Sequence, residues 1–265
     1  MIPARVEPAR HTEGVGGSRD PVLSVADLTG PAGRPVLHDV SLRIPHGTTH
    51  VVLGAMHSGK SLLLRLILGL QRSVTGRVAI DDAAFDPARP NEAELGRARR
   101  KVGVVFDSSA LVSRLSLLEN VELPLVEHTD AHDGDARELA RAMLLDVGVT
   151  ADVERTPDAV SRLDRRRAAL ARALILRPAL LLIDEPGQGL DADATAELDD
   201  TLERLIAHYG CAALICSQEL RYVFRFPEAV SVLAAGTLVD HGSLDELRHS
   251  RHDVVRRLVD RRGAA

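Results

Sequence analysis

Apolar and polar residues alternate over 23–28 and again over 36–44, the period of two that a half-buried strand requires. Val51-Val52-Leu53 breaks that rhythm with a short continuous apolar run suited to a strand buried on both faces. Over 61–70 apolar residues recur on nearly every turn, which predicts a helix packed on most sides, with Gly69 loosening or ending it. Residues 76–80 and 102–105 read as further strands joined by a polar, proline-containing connection. Beyond Phe106 the period changes: 111–125 and 136–147 are helical, nothing strand-like precedes Pro157, and 112–165 reads as a helical insertion. Strands return at 180–183, 211–216, 230–233 and 237–240, separated at first by helices over 165–176 and 193–209. Asp193 is expected to cap the second of these helices and Gly210 to stop it. Such alternation predicts an α/β architecture with a parallel sheet. Residues 1–20 lack apolar periodicity and read as a mobile tail. The Arg- and His-rich end, with a helical tail over 246–265, reads as a solvated face or partner contact.

Composition narrows the picture. With 265 residues, 45% of them hydrophobic, the chain can bury a substantial core and is not a disordered protein. Its net charge of -5 offers no basic surface for non-specific nucleic-acid binding, so no nucleic-acid partner is expected. Among 33 basic residues only Lys60 and Lys101 are lysines, which draws attention to each. Two cysteines, Cys211 and Cys216, are too few for a disulfide scaffold and sit in an apolar stretch as small core residues of a reducing compartment. Arg65 and Arg177 interrupt the two best apolar runs short of a membrane span, and the start has no apolar export segment. The chain is therefore expected to stay in the cytoplasm.

Two segments carry chemistry. Gly54-Ala55-Met56-His57-Ser58-Gly59-Lys60-Ser61 matches the phosphate-loop pattern in its required context, directly after an apolar strand and directly before a helix. Glycines let backbone N–H groups turn toward phosphates, and the helix start adds its partial positive charge. Lys60 would reach the β and γ phosphates of a bound nucleotide, and the Ser61 hydroxyl would take a Mg2+ position. A compact ammonium suits the loop where a guanidinium is too broad. His57 reads as a solvent-facing side chain of the loop rather than a catalytic one.

The second segment, Leu180-Leu181-Leu182-Ile183-Asp184-Glu185-Pro186, is an apolar strand ending in two carboxylates. Taken alone it is an ordinary acidic strand end. With a phosphate loop upstream, Asp184 falls at the carboxyl edge of the sheet, where it can hold magnesium directly or through water. Glu185 would then orient or deprotonate the attacking water.

In this order, these residues resemble the ABC ATPase family over roughly 23–242. The stretch Phe106-Asp107-Ser108-Ser109-Ala110-Leu111 through Leu118-Glu119-Asn120-Val121 to Leu123-Pro124-Leu125-Val126-Glu127-His128-Thr129 is similar to the segment after the Q-loop in ATP-binding subunits of Mce- or Mla-type lipid transporters. Arg166-Arg167-Ala168-Ala169-Leu170-Ala171-Arg172-Ala173 is similar to the helix after the signature motif, and Gly189-Leu190-Asp191 fits the D-loop. The resemblance implies a P-loop NTPase core of ABC type over 21–245, with a parallel sheet, an antiparallel β subdomain and an inserted helical subdomain. It also implies ATP and Mg2+ as ligands, and a head-to-tail dimer, homo- or heteromeric, with each ATP between one subunit's phosphate loop and the other's signature motif. The helical insertion would dock on an integral membrane permease, holding the chain peripherally on the inner face of the cell membrane. Ser161 and Asp191 would be nucleotide contacts.

Departures from the family pattern bear on activity. Val160-Ser161-Arg162-Leu163 stands where Leu-Ser-Gly-Gly is the rule, placing two side chains where glycine backbone approaches the opposite γ-phosphate. Arg162 reads as a surface arginine rather than a trans arginine finger. Asp107 takes the Q-loop position, where its carboxylate could serve Mg2+ while adding negative charge near the triphosphate. Gln218 replaces the switch histidine, keeping a hydrogen bond without the positive charge. Residues 28–36 lack an aromatic to stack on adenine; a stack worth ~1–3 kcal/mol makes its loss about 5- to 150-fold in affinity and relaxes selection between ATP and GTP. Lys60, Ser61, Asp184 and Glu185 favour an ATPase motor, while Asp107, Arg162, Leu163 and Gln218 favour a regulatory or structural subunit of low hydrolytic activity. A soluble ABC protein of repair or translation is disfavoured, because those usually carry two cassettes or long insertions.

Overall fold

The computed structural model describes residues 21–34, 36–129, 133–226 and 228–259; the expected tail over 1–20 lies outside them. In chain order the elements are β1 (Pro21–Gly30), β2 (Leu37–Pro45), β3 (Thr49–Leu53), α1 (Lys60–Ile67), β4 (Thr75–Ile80), β5 (Ala83–Phe85), α2 (Glu92–Arg100) and β6 (Val102–Val105). There follow α3 (Leu117–His128), α4 (Asp133–Asp146), α5 (Arg162–Leu174), β7 (Leu180–Asp184), α6 (Ala192–Tyr209), β8 (Ala212–Ser217), α7 (Leu220–Arg225), β9 (Ala229–Ala234), β10 (Thr237–Gly242), α8 (Leu244–Arg248) and α9 (Asp253–Val259). They fall into two compact units, one made of the chain up to Ala98 and from Leu214 onward, the other of Arg99–Ala213.

In the first unit an antiparallel sheet has the order β2-β1-β4-β5. Leu23 stands opposite Ile44 and Ile80, and Val25 opposite Leu42 and Val78, so apolar positions from three strands share one buried face. The remaining strands form parallel structure, Val51 beside Val230 and Leu53 beside Val232, with β10 antiparallel on the outer side of β9. All five residues of β3 are buried, as a strand covered on both faces must be. Helix α7 packs against β3, and α1 buries Leu63, Leu64, Leu66 and Ile67 in the same unit, each burial worth about 1.5–3 kcal/mol. Gly69 follows the helix in a left-handed conformation, φ 60°.

In the second unit β6 and β7 pair in parallel, from Val102 beside Leu180 to Val105 beside Ile183. Helices α3, α4 and α5 pack on one another, and among the described residues no strand lies between β6 and β7 along the chain.

Several boundaries differ from the sequence reading. The polar connection after β4 contains a short strand, β5, and the helix α2, which buries only Leu95 and Ala98 and so leaves little apolar periodicity to detect. The helix expected from 111 starts at Leu117, because Ser116 forms a capping box with Glu119. The one expected from 165 starts at Arg162 behind the Ser161 cap. Asp191, not Asp193, caps α6, its carboxylate accepting from Ala194 N; Gly210 ends that helix at φ 61° as expected. Cys211 precedes β8 rather than opening it; both cysteines are free and buried.

Candidate functional site

Strand β3 delivers the chain into the loop 54–59, and the loop delivers it into α1. Gly59 occupies the N-cap of α1 at φ 108°, a left-handed conformation that a side chain would strain, and a Cβ there would lie 2.5 Å from Leu37 Cδ2. A Cβ on Gly54 would lie 2.5 Å from Ser58 Oγ and 2.6 Å from the Leu233 carbonyl, so this position too admits only glycine. Gly54 N donates to Ser217 O at 3.1 Å and Ser58 N to Ala55 O at 3.2 Å, which fixes both ends of the loop.

Lys60 is 5% exposed. Its Nζ donates to Gly54 O at 2.8 Å and Ala55 O at 3.0 Å, folding the ammonium over the loop. The buried Ser58 hydroxyl has no hydrogen-bond partner among the described residues. A buried polar atom without a partner costs about 1–3 kcal/mol, a cost that a bound anion or water would offset. The first bond of α1 runs from Leu63 N to Gly59 O at 2.8 Å, the first turn holds no acidic residue, and Ser61 is half-buried within it. A helix start of this kind favours a phosphate. Met56 and His57 are exposed at the loop tip. Gln218, also exposed, directly follows Ser217 and so leaves the strand end that Gly54 holds. The first unit thus brings together Gly54, Ala55, Met56, His57, Ser58, Gly59, Lys60, Ser61 and Gln218.

The second unit assembles the acidic residues. Asp184 ends the fully buried β7 and is itself 1% exposed. Because β6 and β7 run in parallel with Val105 beside Ile183, Asp107 and Glu185 emerge at the same carboxyl edge. Glu185 adopts φ 45° and its carbonyl accepts from Gln188 N at 3.0 Å, closing a turn. Asp107 lies in a second turn, closed by Ser109 N donating to Phe106 O at 2.9 Å, and its carboxylate accepts from Ser108 N at 2.7 Å.

Ser161 and Asp191, the other expected nucleotide contacts, are N-caps of α5 and α6. The Ser161 hydroxyl accepts from Asp164 N at 3.0 Å and donates to Asp164 Oδ2 at 2.8 Å. Next to it, Arg162 Nη1 donates to Gly189 O at 2.9 Å, so the start of α5 lies against the segment that leads to Asp191. Arg166 donates from Nη1 to Phe106 O at 2.7 Å and from Nη2 to Gln188 O at 3.0 Å, while Arg172 reaches Ala110 O at 2.8 Å and Ser109 O at 3.2 Å. No role for Arg166 or Arg172 is legible in the chain, since a run rich in arginine on a helix reads as a solvated face.

The ABC transporter family model matches residues 37–188. The probable ribonucleotide transport ATP-binding protein mkl of Mycobacterium tuberculosis is 33% identical over 97% of this chain and 71% of its own length. The methionine import ATP-binding protein MetN of Rhodopseudomonas palustris is 35% identical over 84% of this chain, which spans 60% of that protein. Among solved structures, the ATP-binding cassette MJ0796, a dimer bound to ADP and Pi, superposes with a TM-score of 0.74 at 27% identity, covering 83% of this chain and 98% of that one. CbiO1 of Clostridium perfringens, at 22% identity and a TM-score of 0.74, shares the fold over 92% of this chain and 96% of its own. With the phosphate loop built and the family matched on sequence and fold alike, the chain belongs to the ABC transporter ATP-binding family, as a nucleotide-binding subunit of a transport system.

Proposed function

We propose that residues 21–245 form a cassette that binds Mg-ATP through the loop 54–61 and couples its binding and hydrolysis to a membrane permease. The observation that carries this reading is the cradle itself: Lys60 folded over Gly54 and Ala55, a buried Ser58 hydroxyl without a partner among the described residues, and a helix start free of acidic residues. Ser61 and Asp184, with Asp107 beside them in the chemistry of its oxygen donors, are the candidate Mg2+ ligands; Mg2+ takes one or two protein oxygens and completes its shell with water and phosphate, neutralising phosphate charge. Glu185 acts as the base or orienting group for water, and Gln218 donates a hydrogen bond on the phosphate-loop side. Ser161 and Asp191 serve the nucleotide of a second ATPase subunit in a head-to-tail dimer. The helical insertion, 112–165, docks on the permease and places the chain on the inner face of the membrane. Resemblance of 106–129 to Mce- and Mla-type subunits supports lipid as the cargo, whereas the relatives above are named for ribonucleotides and methionine.

Calorimetric titration tests the central assignment. Wild-type protein takes up Mg-ATP at micromolar to millimolar concentration, and Lys60→Ala abolishes the heat; an unchanged affinity in that variant overturns the reading.

A second reading, a nucleotide-binding subunit that hardly hydrolyses and pairs with an active ATPase, is favoured by one specific feature. The Arg162 guanidinium, where the family keeps glycine, is bonded to Gly189 O of its own chain. Slow turnover by the purified chain and co-purification of a second ATPase subunit with the permease would select it.

A further inference from the structure

Two turns at the carboxyl edge of the second unit share one anchor. The first, closed by Ser109 N on Phe106 O, carries Asp107; the second, closed by Gln188 N on Glu185 O, carries Glu185. Arg166 meets both, its Nη1 on the very carbonyl that closes the first turn, at 2.7 Å, and its Nη2 on Gln188 O at 3.0 Å. A guanidinium is planar and rigid, so two acceptors bound to its two terminal nitrogens are held at a set spacing, which an ammonium on a flexible stem cannot impose. The arginine is buried at the second turn of α5, and its stem lines a small apolar hollow with Leu170, Ile183 and Pro186. Glu185 meanwhile sits at φ 45°, a sparsely populated conformation for a residue with a side chain, which persists only where its surroundings hold it. Gln188 closes the turn that keeps Glu185 there, and Arg166 holds Gln188. One helical turn earlier on the same face, Arg162 adds a bond to Gly189 O.

We propose that Arg166 is a positioning residue for ATP hydrolysis: its guanidinium ties the Asp107 turn to the Glu185 turn and so sets the water-activating carboxylate against the metal-binding edge. Arg166 does not touch the nucleotide; it acts through the two carbonyls. The inference rests on the reading of Glu185 as the group that activates water.

The test uses the full chain with Arg166→Met, whose side chain fills the apolar hollow, and Arg166→Lys, which keeps the charge but spans only one carbonyl. Steady-state ATPase rates, Mg-ATP affinity and amide hydrogen exchange are measured on each. In Arg166→Met kcat falls about tenfold or more while the Mg-ATP Kd stays within about threefold. Exchange accelerates about tenfold at 106–110 and 185–190 and is unchanged elsewhere. Arg166→Lys recovers part of both effects. A folded Arg166→Met with wild-type kcat and wild-type exchange at the two turns overturns the proposal, as does a loss of protection spread over the whole chain. If Arg166→Met does not fold, Arg166→Lys decides: a smaller fall in kcat with faster exchange at the two turns supports the proposal, and wild-type kcat with wild-type exchange there overturns it. Should the wild-type chain show no turnover, the hydrolytic reading of Glu185 fails, and exchange at the two turns still decides whether Arg166 holds them.

Discussion

His50, at the start of β3, is buried, with Nε2 2.9 Å from Ser231 Oγ. Burial first, and the neighbouring charge of His241 second, push its pKa from 6.5 down to about 4. Between those values the unfolded chain binds a proton that the folded chain refuses, so stability is lost as the pH falls from 6.5 toward 4, by about 3 kcal/mol in all. The thermal midpoint of the wild type should therefore drop more between pH 7.5 and 5 than that of His50→Gln; equal drops would place the acid sensitivity elsewhere. Glu185 offers the matching test of chemistry. If Glu185 activates the water as proposed, Glu185→Gln removes that base while leaving an acceptor oxygen, and turnover should fall by about 100-fold or more with Mg-ATP affinity nearly unchanged. A rate within a few-fold of the wild type would assign water activation to another group. Lys60 and Glu185 stand out as candidates in the chain because the patterns that single them out are local in spacing. Arg166 is not, because its two acceptors lie 60 and 22 positions away.

Among the elements, α3 and α5 show how short-range bonds decide where a helix begins. The α3 start is fixed from both sides: the capping box of Ser116 and Glu119, and the fully buried Asn120, whose Oδ1 accepts from Val112 N at 2.7 Å. The Asn120 amide donates to Val112 O at 3.0 Å, Leu115 O at 3.3 Å and Ser116 O at 2.9 Å. One side chain therefore serves the whole approach to the helix, and 112–116 stays a loop although its apolar residues continue the helical period. Asn120→Ala should cost about 2–4 kcal/mol, since several buried backbone groups lose their partner together. The urea midpoint would register it, and a loss below about 1 kcal/mol would show that water replaces the amide. In α5 the Ser161 cap on Asp164 is strengthened by Thr150 N, which donates to Asp164 Oδ1 at 2.9 Å. Caps are written in adjacent residues, yet many Ser and Asp residues could serve, and which one does depends on packing. In α6 it is Asp191 rather than Asp193 that does so, its carboxylate accepting from Ala194 N.

For the assembled protein, membership of the ABC family makes association of two cassettes the expected active form, and MJ0796 provides a solved dimer of the same fold. If nucleotide is shared between subunits, the slow variant Glu185→Gln should sediment as a dimer in Mg-ATP and as a monomer without it, while Lys60→Ala stays monomeric in both. A monomer under every condition would mean that this chain needs a different partner subunit. Among the described residues no helix is long and apolar enough to cross a membrane. The linear order of residues was enough to specify the strand-loop-helix of phosphate-loop pattern, the acidic strand end and the α/β class, because each rests on contacts between near neighbours in the chain. Which caps prevail, how Glu185 is held at a positive φ, and which arginine joins the Asp107 and Glu185 turns were settled by packing. Those outcomes depend on groups distant in sequence, whose meeting is written in no local pattern.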